Sequence, residues 1–433
     1  MITVQNESQL KDALKQSSDP MIVIEGGLYQ EDYEINVSGN GNVPFTITAA
    51  SQAIFRNNII TINGNFVLVH GLEIENGMVV VRGDTNRIVK NYFYNGKPGG
   101  NSSRLHSAVA IEGNASHNLV DHNEVENWQR RALRNIRLTE NTKDNMFSHN
   151  HLHGLLGDNT NSGEAFQVGA GHSDQPYFPD CVIQYNLVQG FNIDSEIISL
   201  KSSNNLVRFN TFIDCPKSAV SIRAGAQNKI IGNTLIDVMS INVYGDDNRI
   251  LGNALHNSRI DIRSGDCTYE ELVADDTYKG GHPAARRTVV VGNMLDSNSY
   301  IRLGKKGTGK ITFNRTFPAE DTILSLNGDA RIVVDGEEKN TQHVENYSYT
   351  LKDSAHELEP KDVGLQPKLD IFPISPPPAP EPEPPVVEPD PVIVVPRFHS
   401  FYVTCESPDD AADTVEEFMK IAGVKKVIVL EEG

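Results

Sequence analysis

The chain has 433 residues, of which 38% are hydrophobic and 22% charged, and its net charge is −19. That apolar share is enough for a sizeable core and excludes wholesale disorder, while the acidic balance argues against a nucleic-acid partner. No apolar run reaches the roughly 18–20 residues of a membrane helix, so no membrane partner is expected, and the first twenty residues show neither the basic start nor the apolar stretch of a signal peptide.

The first predicted element is a helix over residues 8–15, with Leu10, Ala13 and Leu14 on one face and Ser8 as its N-cap. A recurring phrase then dominates the chain: Asn, four residues with apolar positions, Asn. It runs from Asn86 to Asn91, Asn118 to Asn123, Asn145 to Asn150, Asn205 to Asn210, Asn228 to Asn233 and Asn248 to Asn253, with partial copies ending at Asn186, Asn293 and Asn314. The shorter repeats fall near 20–24 residues, room for three short strands and three turns. That is one coil of a right-handed parallel β-helix, an all-β fold in which each coil buries its inner face only against its neighbours. The N-terminal helix is expected to cap the open end. The second Asn of each phrase is expected at a sharp corner, in left-handed backbone geometry, with the side-chain amides bonded coil to coil.

The coil pattern fades after about residue 350. Residues 371–396 hold 11 of the 22 prolines and read as an extended Pro-rich linker. Residues 397–433 alternate strand, helix and strand, a small C-terminal α/β module of βαβ type, short enough to need a partner. The expected organisation is therefore a β-helix catalytic domain over 1–370, a linker over 371–396 and a module over 397–433. The four cysteines (Cys181, Cys215, Cys267, Cys405) stand far apart without CxxC spacing and read as buried or idle thiols.

One segment departs from coil filler. It holds Asp194, Glu196, Lys201 and Arg208. In strand geometry Asp194 and Glu196 point to the same face, where two carboxylates repel unless a cation sits between them. Hard oxygen donors at that spacing suit Ca²⁺. Lys201 lies five residues beyond Glu196, so a flat strand would turn it to the other face and a corner must restore its direction. Arg223, 22 residues after Lys201, falls beside it on the next coil.

These residues, with Asn205, Asn210-Thr-Phe212, Cys215 and the upstream Asn161-Ser-Gly-Glu164-Ala-Phe-Gln167, resemble the signature of polysaccharide lyase family six, which contains the alginate lyases and chondroitinase B. The resemblance is tight over about residues 158–233 and loose over 1–350. It implies a calcium-assisted β-elimination on a uronate-containing anionic polysaccharide, with alginate preferred over dermatan sulfate. By that resemblance Lys201 is the base, Arg223 its catalytic partner, and Asp194, Glu196 and Asn161 the Ca²⁺ ligands. Glu164 and Gln167, in the upstream segment, are expected at the substrate. Three departures stand out: Asp194 replaces the usual Glu, Arg223 comes one residue late through an insertion near Pro216 and Lys217, and Ala224 replaces the His that usually follows the Arg.

The reaction removes the proton beside a uronate carboxylate, where a second negative charge is costly. A cation on that carboxylate offsets it. Lysine serves as the base only when neutral, and both a nearby cation and Arg223 disfavour its ammonium form. Arginine is a poor proton donor, so Arg223 is assigned to charge stabilisation, and the donor is water or an unidentified tyrosine. Lys201, Arg208, Arg223, Arg249, Arg263, Arg286 and Arg287 recur along successive coils and are expected to form a basic track for the polyanion, with His282 contributing from a long insertion. Two other readings use the same scaffold. In one, Asp194 and Glu196 are the paired acids of a glycoside hydrolase. In the other, the chain is a non-catalytic glycan-binding adhesin or phage tail protein.

Overall fold

Most strands are three to five residues long, because turn-forming residues interrupt the apolar runs every few positions. The computed structural model describes residues 1–16, 19–97, 104–155, 163–274 and 281–304, together with 319, 322–327, 331–334, 337–339, 358 and 362–363. Asn161, Asn314, the Pro-rich linker and the C-terminal module lie outside the described residues.

The strands stack into a parallel β-helix with three sheets. The first sheet runs through Met78–Val81, Val109–Glu112, Leu133–Ile136, Phe166–Val168 and Glu196–Leu200, each pairing in parallel with the next. The second runs through Arg87–Val89, Leu119–Asp121, Met146–Ser148, Val182–Gln184 and Leu206–Arg208. The third runs through Tyr92–Tyr94, Glu124–Glu126, His151–His153 and Leu187–Gln189. Every named pairing is parallel except the last, between Arg331–Val334 and Glu337–Lys339. One apolar core, from Val4 to Ile332, fills the coil.

Helix α1 (Glu7–Gln16) covers the N-terminal end, with Leu10, Ala13 and Leu14 buried in that core. Its N-cap is Asn6 rather than Ser8. The Asn6 side chain accepts the Gln9 N–H at 3.0 Å, and the Gln9 side chain accepts the N–H of Gln5, one residue before the cap, at 2.8 Å, which leaves Ser8 inside the first turn.

The asparagine ladder is present, with one change. From Asn91 through Asn123, Asn150, Asn186, Asn210, Asn233 and Asn253 to Asn293, each side-chain amide donates to the next side-chain carbonyl at 2.9–3.1 Å, and these residues are fully buried. The left-handed geometry falls instead on the residue before each: Lys90, His122, His149, Tyr185, Phe209, Gly232, Gly252 and Gly292. The turn residue faces outward, which frees the Asn to point in and bond along the axis.

Cys181, Cys215 and Cys267 are buried free thiols, as expected. Burial pushes Cys181 and Cys215 up to about 12, so neither is a reactive thiolate.

Candidate active site

Strand Glu196–Leu200 begins irregularly. Glu196 and Ile198 pair with the consecutive residues Ala219 and Val220, so Ile197 is one residue too many, a β-bulge. Ile197 and Ile198 both enter the core, while Glu196 stays outside with Ser199, whose hydroxyl donates to its Oε2 at 2.7 Å. The bulge, not a corner, makes the change of direction that the five-residue step to Lys201 demands. Asp194 lies in the bend before the strand, so alternation along a strand does not relate it to Glu196. Its Oδ1 accepts the Ser195 hydroxyl and the Glu196 N–H, each at 3.3 Å, and its Oδ2 accepts the Gly163 N–H at 3.1 Å.

Lys201 and Arg223 directly follow the paired residues Leu200 and Ile222, and the Arg223 N–H donates to the Leu200 carbonyl at 2.8 Å. They stand on adjacent rungs, about 4.8 Å apart. The register continues from Ile222 to Val243 and Ile262 and back to Val168. One column therefore runs Gly169, Lys201, Arg223, Tyr244, Arg263. Gly169 has φ +81°, and a Cβ there would lie 2.8 Å from the Lys201 carbonyl oxygen. Only glycine lets Lys201 stand so close. The late arrival of Arg223 is absorbed nearby: Cys215 pairs with Val238 and Ala219 with Ser240, so four steps match two, and Pro216 and Lys217 loop outward.

Charges alternate across this end of the sheet. Lys201 Nζ lies 3.6 Å from Glu164 Oε1, Glu164 Oε2 lies 2.9 Å from Arg131 Nε, and Arg223 Nε lies 3.8 Å from Glu196 Oε1. Burial pushes the Glu164 carboxyl up, but Lys201 and Arg131 more than offset this and hold it below the ordinary glutamate range. Gln167 is fully buried beneath, accepting from Arg134 at 2.7 Å and donating to Glu164 at 3.3 Å.

The other expected contacts divide. Arg263 is buried against Asn242 (2.7 Å) and Asp261 (2.9 Å) in the site column. His282 reaches the same place, its ring 5.1 Å from that of Tyr244. Burial, Arg223 and Arg263 push the imidazole down to about 3, so it is neutral. Arg286 and Arg287 pair with Asp246, and further with Glu270 and Asp247 respectively. Arg208 and Arg249 belong to the second sheet. The basic track read from the sequence is thus divided, because recurrence once per coil does not fix which of three sheets a residue joins.

Tyr244 was not singled out by sequence reasoning. The available signal is its place 21 residues after Arg223, one coil on. Burial raises its phenol, with Arg263 and Arg223 pulling the other way, so it stays protonated near neutrality.

The donors at Asp194 and Glu196 are all hard oxygens, the chemistry Ca²⁺ prefers. Among the described residues, no further acid, cysteine or histidine completes a three-donor cluster with them. The third expected ligand, Asn161, falls outside the described residues.

The family model for chondroitinase B matches residues 4–256, more than half of the chain. The chain belongs to the chondroitinase B family. It is a polysaccharide lyase, of family six. No curated protein sequence matches it. Solved structures similar in fold include three family-six lyases. An alginate lyase of family six in complex with a trisaccharide is 18% identical, with 73% of this chain and 76% of that one covered at a TM-score of 0.60. A family-six polysaccharide lyase from Pseudopedobacter saltans is 16% identical, with coverage of 84% and 99% and a TM-score of 0.61. A mannuronic acid specific family-six lyase from human gut microbiota is 17% identical, with coverage of 72% and 78% and a TM-score of 0.59. In this chondroitinase B family member, Ala224 is buried against Cys267, Leu272 and Tyr269. The insertion carrying helix α2 (Tyr269–Ala274) thus packs over Ala224, and the same insertion delivers His282 to the column.

Proposed function

We propose that this lyase cleaves alginate by β-elimination, with Lys201 as the base. The observation that carries the reading is the placement of Lys201 and Arg223 on adjacent rungs, with Glu164 3.6 Å from Lys201 and Glu196 3.8 Å from Arg223. The neutral Lys201 amine takes the C5 proton of the uronate. The electron pair forms the C4–C5 double bond, the bond from C4 to the glycosidic oxygen breaks, and that oxygen takes up a proton. Arg223 holds charge on the leaving side, where a planar guanidinium can donate several hydrogen bonds to oxygen. The proton comes from the Tyr244 phenol, one rung beyond Arg223. His282 and Arg263 bracket that phenol and bind the neighbouring sugar.

Asp194 and Glu196, with Asn161, would hold Ca²⁺, which when bound offsets the charge growing on the uronate carboxylate. Glu164 keeps Lys201 in position between turnovers. Substrate must displace that contact before the base can act. Support for alginate comes from the similar structures, two of which are described as an alginate lyase and a mannuronic acid specific lyase. Support for dermatan sulfate comes from the family description itself. Membership in a lyase family favours elimination over the hydrolase and the non-catalytic glycan-binding readings.

The test is ultraviolet absorbance from the unsaturated product, measured on alginate and on dermatan sulfate, with and without chelator. Product from alginate that disappears with chelator and returns with Ca²⁺ supports the proposal. Product from dermatan sulfate alone transfers the assignment to that polymer, and no product from either defeats both.

A further inference from the structure

Far from the lyase column, the outer face of the third sheet gathers a different donor set. Strands Glu124–Glu126 and His151–His153 are adjacent rungs, with Glu124 opposite His151 and Glu126 opposite His153. Val125 and Leu152 point into the core, so Glu124, His151 and His153 share the outer face, each half-buried. One ligand atom from each of the three lies within 4.8 Å of the others. The two imidazole rings are 4.4 Å apart.

We propose that Glu124, His151 and His153 bind a divalent transition-metal ion of the zinc class, at a site separate from the lyase centre. Two imidazole nitrogens and one carboxylate make a donor set for zinc, nickel or copper. Calcium takes six to eight oxygens and is poorly served here. Tetrahedral coordination with bonds of about 2.0–2.2 Å sets neighbouring donors roughly 3.3–3.5 Å apart. The His153 Nε2 to Glu124 Oε1 distance is 2.8 Å. It needs to open by about half an ångström, and the widest pair needs to close, which side-chain rotation on an outer face supplies.

His151 Nε2 faces the Gln189 side-chain carbonyl at 2.9 Å, one rung on. A partner of this kind on one ring nitrogen orients a histidine that binds a metal through the other. A metal here ties two coils together, with Tyr92 and Tyr94 on the preceding rung and Leu187 and Gln189 on the following one.

The full chain, stripped with chelator and dialysed, is titrated calorimetrically with zinc chloride in the presence of millimolar calcium, which fills the hard-oxygen site of the lyase centre. One equivalent of zinc is expected to bind, with at least a tenfold loss of affinity in His151→Ala, His153→Ala and Glu124→Gln, and no loss in Asp194→Asn. Cobalt in place of zinc is expected to give the intense visible bands of a tetrahedral site, absent in His153→Ala. A zinc-dependent rise in the unfolding midpoint, also lost in His153→Ala, checks that the ion binds the folded chain. No zinc binding by the wild-type chain overturns the proposal. So does binding unchanged in all three variants, or binding lost only in Asp194→Asn.

Discussion

The Lys201 ammonium lies 3.6 Å from the carboxylate of Glu164, which is itself 2.9 Å from the buried guanidinium of Arg131. The carboxylate serves two cations, and only one of them has access to water. Lys201 is 20% exposed at its side chain and Arg131 4%. Removing Lys201 leaves the Glu164–Arg131 pair whole. Lys201→Ala should therefore fold normally, with turnover reduced by about 10²–10⁴, the range of a lost general base. Glu164→Ala strands the Arg131 charge in the interior and should cost about 3–5 kcal/mol. Thermal unfolding of both variants, beside the absorbance assay, checks the contrast. Near-normal turnover by Lys201→Ala would remove that residue from the base role.

Gly169 supports Lys201 from the preceding rung. An alanine there meets two obstacles: a left-handed backbone with φ +81° and a carbonyl oxygen 2.8 Å from the new Cβ. Relief requires the Lys201 backbone to shift, and displacement of a reacting group by about 1 Å costs about 10²-fold in rate. Gly169→Ala should lower kcat by about that factor. Gly113→Ala, also at positive φ (+70°) but with open space around its Cβ, should leave kcat intact. Equal kcat losses in the two variants would show that backbone strain alone, not the approach to Lys201, is responsible.

The ladder of buried asparagines is the axis of the fold, and Asn150 is a middle rung. Its carbonyl oxygen accepts from the Asn123 backbone and side chain, each at 3.0 Å, and its amide donates to the Val120 carbonyl and to Asn186. Asn150→Ala leaves several of these groups buried without partners, at about 1–3 kcal/mol for each unsatisfied group. A loss of about 3 kcal/mol or more in denaturant unfolding is expected. Asn127→Ala, at an exposed corner, should cost far less.

The fold was legible because the Asn phrase repeats at the length of one coil, and stacked coils oblige equivalent residues to bond axially. Which residue carried the left-handed turn was not legible, since Asn suits both an αL corner and a buried ladder, and only the pairing shows that Lys90, His122 and their equivalents carry the turn. The site was legible where spacing decides it: the 22-residue step from Lys201 to Arg223 is one coil, and the register sets them side by side. The relation of Asp194 to Glu196 was misjudged because a bulge and a bend replace a regular strand there. Arg208 and Arg249 looked like neighbours of Lys201 because coil periodicity gives the rung but not the sheet. Tyr244 escaped notice since nothing distinguishes a tyrosine after apolar residues until the column is known.

Five of the described histidines are pushed toward the neutral form, with burial the leading cause in each: His151 is lowered, His70, His106 and His149 fall to about 4, and His282 to about 3. In the unfolded chain a histidine titrates near 6.5. Below that pH the unfolded chain binds protons that the folded chain refuses, so stability falls as pH drops from about 6.5 toward 4. Above pH 6.5 these groups are neutral in both states and contribute no slope. Denaturant midpoints between pH 8 and 4 should be flat at first and then decline. A midpoint that rises between pH 6.5 and 5 would contradict neutral burial of these rings.

Tyr244 separates the two proton donors open to this chemistry. It follows Arg223 in the column, its ring rests 5.1 Å from His282, and its phenol remains protonated near neutrality. If it donates to the departing oxygen, Tyr244→Phe removes the proton and keeps the packing, since the ring that contacts His282 is retained. The loss should then appear in kcat, about 10²-fold, with KM little changed. His282→Gln should do the reverse. The imidazole is neutral throughout the working range, so it can orient sugar or phenol but has no charge to give, and its removal should raise KM more than it lowers kcat. A solvent isotope effect on kcat that is present in the wild type and altered in Tyr244→Phe would place the phenol in the rate-limiting step. Full activity in Tyr244→Phe would instead leave water as the donor, with Arg223 acting on the leaving oxygen alone.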